Sequence, residues 1–185
     1  MASPQSAVEF APPVAPVNDV IVGVLDSAAA YRRYSSYVAA VAQRLLGRDH
    51  EVDDTVQEVF LIAVRGLDTL RDPGAIKGWL ARITVRVASR RLQARRMRGW
   101  LRLDRAPTDS LPVDRSASPE QRVLLASLYR ALDELPAKQR VAWILRHVEG
   151  SSLSEVAEMT GCSLATAKRR IVAAERWLQE VLSDV

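Results

Sequence analysis

Apolar positions in this chain recur at three- and four-residue intervals over most of its length, and strict alternation is scarce. That period puts side chains on one face of a helix, so helices are expected throughout. The first is expected from Ser27 to just before Gly47, burying Tyr31, Tyr34, Val38, Val41 and Leu45 as one stripe. A second is expected from about Glu51 to Leu70, with Val52, Val56, Val59, Ala63 and Leu67 inward and Asp72-Pro73-Gly74 as its stop. A third spans about Ala75 to Arg98 and buries Ile76, Leu80, Ile83 and Val87. From Gly99 to Ser118 the pattern dissolves into Pro, Ser, Thr and Asp, the composition of a linker. Ser118-Pro119-Glu120-Gln121 restarts a helix with a capping box, and Leu124, Leu125, Leu128 and Leu132 form its apolar face. Leu135-Pro136 opens another, running to Val148 and closed by Glu149-Gly150. Residues 1–26 carry Pro4, Pro12, Pro13 and Pro16 without a helical period and read as a mobile tail.

The last third has a distinctive order. Ser151 to Met159 reads as a short helix with a capping box at Ser152 and Glu155. Thr160-Gly161-Cys162-Ser163 reads as a tight turn, with Gly161 suited to a positive φ. Leu164 to Leu182 reads as a longer helix. A bracing helix, a turn and a helix whose first turns meet base edges is the layout of a major-groove reader. Ser163 can cap the second helix, leaving Leu164, Ala165, Thr166, Lys168, Arg169 and Arg170 near its start. Ala157, Ile171 and Ala174 are small or apolar where the helices pack. A plain helical hairpin with a solvated basic face would share much of this pattern.

Charge is sorted by segment, which says more than the net charge of +4. Arg82, Arg86 and Arg90 lie four apart on the third helix, and Arg91, Arg95 and Arg98 continue the run. Cations for a strand backbone beside Trp79 and Trp100 suit a melted strand. Charge runs are more often solvated stripes, however, and a lone Trp is more often core. Upstream, Glu51, Asp53, Asp54 and Glu58 form an acidic cluster. Asp54, Gln57, Glu58 and Leu61 share one face. Acids early in a helix also favour its dipole, so spacing alone leaves open whether this face is an interface.

Several classes fall away. Cys162 is the one cysteine, so neither an internal disulfide nor a Cys-rich zinc site can form within the chain. His50 and His147 stand apart, there is no Gly-rich phosphate loop, and no His-supported nucleophile appears. Neither catalysis, a cofactor nor a small-molecule substrate is expected. No apolar run approaches the ~20 residues that span a bilayer, and residues 1–26 are not expected to act as a secretory signal. A cytoplasmic protein is expected. An autonomous helix-turn-helix regulator fits the last third, but leaves the acidic face and the third-helix arginines unexplained.

Asp53-Asp54-Thr55-Val56-Gln57-Glu58-Val59-Phe60-Leu61 resembles the D-x-x-Q-E-x-F segment in region 2 of the extracytoplasmic-function (ECF) sigma factors of the sigma-70 family. Trp79-Leu80-Ala81-Arg82-Ile83 resembles their W-L-x-R-I helix start. Leu135-Pro136-Ala137-Lys138-Gln139-Arg140 and Leu145-Arg146-His147-Val148-Glu149-Gly150 resemble the opening of region 4. Glu155-Val156-Ala157-Glu158 and Thr166-Ala167-Lys168-Arg169-Arg170 fit its helix-turn-helix. The resemblance covers about residues 28–182.

It implies an all-α fold of two small helical domains: a tail at 1–26, region 2 at 27–98, a linker at 99–118 and region 4 at 119–185. It implies a transcription initiation factor that binds core RNA polymerase and directs it to promoters. Asp53, Asp54, Gln57, Glu58 and Leu61 would meet the β′ clamp helices of the core. Trp79, Arg82, Arg86, Arg90, Arg91 and Arg95 would serve the melted minus-10 element. Ser163, Leu164, Ala165, Thr166, Lys168, Arg169 and Arg170 would read the minus-35 element. An anti-sigma factor is a further implied partner. One departure stands out. The family commonly reads R-I-A-R-N-L-A-x-D, and here Arg86 replaces its Asn and Arg90 its Asp, so base preference is expected to differ. A coil of about 20 residues spans roughly 25 Å, less than the distance between the two promoter elements. The linker must therefore be drawn out on the promoter, whereas in the free protein the domains can pack on each other and cover binding faces.

Overall fold

The computed structural model describes residues 27–47, 49–67, 70, 72–100 and 118–183. The expected tail and residues 101–117 of the expected linker lie outside them. Among the described residues there are seven α-helices and no strand: α1 (Ser27–Leu46), α2 (Val52–Gly66), α3 (Ile76–Trp100), α4 (Pro119–Glu134), α5 (Ala137–His147), α6 (Leu153–Thr160) and α7 (Leu164–Leu182).

Helices α1, α2 and α3 pack on one another through Val38, Val41, Leu45, Val56, Val59, Ala63, Leu80, Ile83 and Val87, all buried. The expected α1 stripe is corrected at Tyr31, which is 46% exposed. Tyr31 lies near the start of α1, its ring edge-to-face with Phe60 at 4.9 Å between centroids; Ala30, Ala42 and Leu46 are buried instead. Helix α2 ends at Gly66, short of the expected Leu70. Asp72-Pro73-Gly74 therefore does not stop it. The Asp72 carboxylate accepts from the Gly74 N–H (2.8 Å) and its carbonyl from the Ala75 N–H (3.0 Å). That Asx turn feeds a short 3₁₀ turn, Pro73–Ala75, and then α3.

Helix α3 runs two residues past the expected end, to Trp100. It buries more than the expected stripe: Ala81, Thr84, Val85, Ala88 and Leu92 are buried beside Ile76, Leu80, Ile83 and Val87. The reason is a second set of neighbours, because α5 and α6 pack against it as well as α1 and α2.

The second half is built on Leu132, Val141, Ile144, Leu145, Val156, Ala167, Ile171, Ala174 and Leu178. Ser118 caps α4 in a full capping box: its hydroxyl accepts from Gln121 N–H, and its N–H donates to Gln121 Oε1 at 2.8 Å. Leu124 leaves the expected apolar face and is 55% exposed, since α4 buries residues near its end, Ala131 and Leu132. The buried residues of both halves form one continuous cluster.

Candidate polymerase and nucleic-acid interfaces

The helix-turn-helix is set by local chemistry. Ser152 caps α6, donating its N–H to Glu155 Oε2 at 2.7 Å and accepting from the Glu155 N–H at 3.3 Å. The Ser152 N–H, and then its hydroxyl, hold the Glu155 carboxyl below the usual carboxylate range. Gly161 ends α6 at φ +61°, and the next N–H, of Cys162, reaches back to the Ala157 carbonyl at 2.9 Å. A Cβ would be strained at that φ. Ser163 then caps α7, its Oγ accepting from the Thr166 N–H at 3.2 Å. Ala157, Ala167, Ile171 and Ala174 are buried where the helices meet.

The start of α7 is presented outward. Ser163, Leu164, Ala165, Lys168 and Arg169 are exposed, and Arg170 is half-buried. Thr166 is half-buried, and its hydroxyl lies 2.9 Å from Ser163 Oγ and 3.4 Å from Arg169 Nη2. A helix N-terminus with its positive dipole end and two exposed cations is suited to phosphate and to acceptor-rich base edges.

The six candidates of the third helix do not lie on one surface. Arg82, Arg86 and Arg90 share the exposed face of α3. Among the described residues Arg86 makes no ion pair. Arg90 and Arg91 both hold Glu58, the latter at 2.9 Å. Arg91 and Arg95 are turned toward the protein, and Arg95 pairs with Glu51 and reaches Asp133 at 3.4 Å. Arg82 pairs at 2.7 Å with Glu158 of the bracing helix. Trp79 is half-buried against the core.

On α2, Asp53, Asp54 and Gln57 are exposed beside Leu61, an apolar side chain left 63% exposed. Val64, one turn on and also exposed, extends this face and was missed; its signal was the i, i+3 spacing from Leu61. Glu58 shares the face but its carboxylate is occupied by the two α3 arginines. Elsewhere, His147 is paired with Glu175 at 2.8 Å beside the Trp143 ring. Among the described residues no cluster of His, Cys, Asp and Glu suits a metal, and no helix is long and apolar enough to cross a membrane.

Two family patterns match in chain order: Sigma-70 region 2 over residues 30–98 and Sigma-70, region 4 over residues 125–178. The ECF RNA polymerase sigma-E factor of Escherichia coli is 31% identical over 155 residues, covering 77% of this chain and 78% of that protein. This chain belongs to the ECF sigma factors. The ECF RNA polymerase sigma factor SigM of Mycobacterium tuberculosis is 30% identical over 82% of this chain and 74% of its own length. SigE of Mycolicibacterium smegmatis is 34% identical over 158 residues, of which this ECF sigma factor spans 60% of the relative's length. Among solved structures, the sigma factor RpoE of Bartonella quintana, in complex with the anti-sigma factor NepR, aligns with a TM-score of 0.62. That alignment covers 83% of this chain and 94% of RpoE at 24% identity, and supports the shared fold.

Proposed function

We propose that this sigma factor binds core RNA polymerase through the exposed face of α2 and directs it to promoters with two separate DNA readers. The carrying observation is the patch of Asp53, Asp54, Gln57, Leu61 and Val64: acids and exposed aliphatics on one helix, with no partner helix over them among the described residues. An apolar centre rimmed by charge is the make-up of a protein interface. The clamp helices of the core's β′ subunit are the proposed occupant. Region 4 reads the minus-35 element with the exposed start of α7. Region 2 serves the melted minus-10 strand with the Arg82, Arg86 and Arg90 face. The protein has no catalysis of its own in this reading and acts in the cytoplasm. An anti-sigma factor is a proposed partner, as NepR is for RpoE. Domain limits of 27–98 and 119–185 with a connecting linker go with it.

Asp54 is exposed at the head of α2, so its replacement spares the core of the fold. Losing a close charge-assisted interface contact costs about 2–5 kcal/mol. Asp54→Arg is therefore expected to weaken core affinity at least ~30-fold, with the helix content unchanged by circular dichroism. Fluorescence titration against core polymerase measures it. An affinity equal to the parent's would move the core-binding face elsewhere.

A further inference from the structure

The two halves meet at the C-terminal end of α1, which offers its last carbonyls with no turn of helix beyond to satisfy them. Side chains satisfy them instead. The Tyr129 hydroxyl donates to the Arg44 carbonyl at 3.3 Å, Arg140 Nε to the Leu45 carbonyl at 3.0 Å, and Arg95 Nη1 to the Leu46 carbonyl at 3.3 Å. Two of those three donors come from the region 4 half. Cations and donors at a helix C-terminus also complement its dipole.

Around this cradle the charges are closed off. Arg140 is 1% exposed and pairs with Asp133, which Arg95 also approaches at 3.4 Å. Arg44 holds Glu149 through one guanidinium edge, Nε donating to Oε1 and Nη2 to Oε2, the latter at 3.0 Å. Arg96 Nη1 donates to the Glu134 carbonyl at 3.1 Å. Gly47, at φ +65°, makes the fit possible. A Cβ there would lie 2.5 Å from Tyr129 Cδ1 and 2.8 Å from Arg140 Nη2. Its bare backbone thus leaves room for both side chains. By contrast the outer pair, Arg82 with Glu158, has side chains 44% and 61% exposed and contributes little.

The seat is incompletely satisfied. Arg140 Nη2 and Arg95 Nε are buried without a hydrogen-bond partner among the described residues. Burial pulls the Arg140 guanidinium below the usual arginine range, with the Asp133 charge opposing. An interface of buried, partly unpaired guanidinium groups is specific in geometry, but its desolvation cost is not fully offset.

The closed arrangement cannot span a promoter. Minus-10 and minus-35 elements about 25 base pairs apart are separated by some 85 Å of B-form DNA at ~3.4 Å per base pair. Here α5 and α6 lie directly on α3, and Glu158 occupies Arg82. The start of α7 remains exposed.

We propose that the α1 C-terminus, with Gly47, is an autoinhibitory latch: Tyr129, Arg140 and Glu149 of region 4 seat on it in the free protein and hold the two DNA readers too close together to span a promoter. Opening of this latch precedes promoter engagement, while the recognition helix stays accessible throughout.

Solution scattering on the full chain tests it, with Gly47→Ala, Glu149→Arg and the charge-swapped Arg44→Glu/Glu149→Arg. A compact chain of this length has a radius of gyration near ~16 Å. Gly47→Ala and Glu149→Arg are expected to raise the measured radius by several ångströms over the parent's, with helix content retained by circular dichroism. The swap is expected to return it toward the parent's value. If the open form is about 10–30% of the parent, the holoenzymes of both opening variants bind a promoter carrying both elements roughly 3- to 10-fold more tightly. Two single variants that stay folded and as compact as the parent would overturn the latch. So would expansion without tighter promoter binding while the parent holoenzyme itself binds. Scattering needs no polymerase, so a parent that fails to bind core would count against the proposed function and leave the latch decided by the radius alone.

Discussion

Glu155 shows how a single side chain ties the DNA reader to pH. Its carboxylate accepts the Ser152 N–H and so closes the box that starts α6. Bonds to the charged form lower its folded-state pKa. The sign follows from linkage: stability from this bond is complete above the unfolded carboxylate value of about 4.3 and is lost as pH falls through the folded value. Glu155→Gln keeps an acceptor but not the charge. Urea melts should therefore separate parent and variant at pH 7 and converge as pH drops below about 4. A gap that is the same at both pH values would assign the stabilisation to shape rather than charge.

Arg86 is the other residue-scale test. It is exposed, between Arg82 and Arg90, and among the described residues no carboxylate holds it. The family usually has Asn there, which both donates and accepts, whereas Arg only donates, in a rigid fork. Arg86 is expected to take backbone phosphate or an acceptor-rich base such as guanine. Arg86→Asn should leave core affinity and minus-35 binding alone and change the ranking of minus-10 variants in permanganate footprints of the open complex. The same ranking in parent and mutant would show that this position does not read the base.

At the scale of elements, what was legible depended on how far each contact reaches along the chain. Both capping boxes, the positive φ of Gly161 and the Ser163 cap were readable because each closes within four residues. The double burial of α3 was not. Ala81, Val85 and Leu92 are buried by helices that arrive after the linker, so the period of α3 itself showed only the first stripe. Arg140 was equally hidden: in sequence it is one more cation in Lys138-Gln139-Arg140, and its burial rests on the distant Leu45 carbonyl of α1 together with Asp133. Helix α7 carries the element-scale prediction. Arg169, with the forked geometry suited to guanine, should on replacement by Ala cost about 1–3 kcal/mol at one promoter position and relax preference there. Lys168, a point charge, should on replacement weaken all sequences alike. Competition binding of the holoenzyme to single-base minus-35 variants separates the two. Should both variants leave affinity and selectivity untouched, α7 is not the minus-35 reader.

For the whole molecule, the arrangement of charge in the closed state predicts how the free protein meets duplex DNA. A cation already held by a carboxylate releases few counterions from DNA when it binds, so it adds little to the salt dependence. Arg82, Arg90, Arg91 and Arg95 are all so held, by Glu158, Glu58, Glu51 and Asp133. Lys168 and Arg169 are exposed on α7, with Arg170 half-buried beside them. About three phosphate contacts give a slope near −3 in log affinity against log salt, at ~0.9 per contact. Lys168→Ala should make it shallower by about 1, and Arg82→Ala should leave it where it was. In Gly47→Ala, with α6 off α3, the slope should steepen by about 1 or more, and Arg82→Ala should now matter. Anisotropy titrations of labelled duplex over a salt series supply all five slopes, that of Gly47→Ala/Arg82→Ala included. If Arg82→Ala flattens the slope of the unmodified chain as much as Lys168→Ala does, Arg82 meets DNA in the closed protein, and its pairing with Glu158 has no consequence for binding.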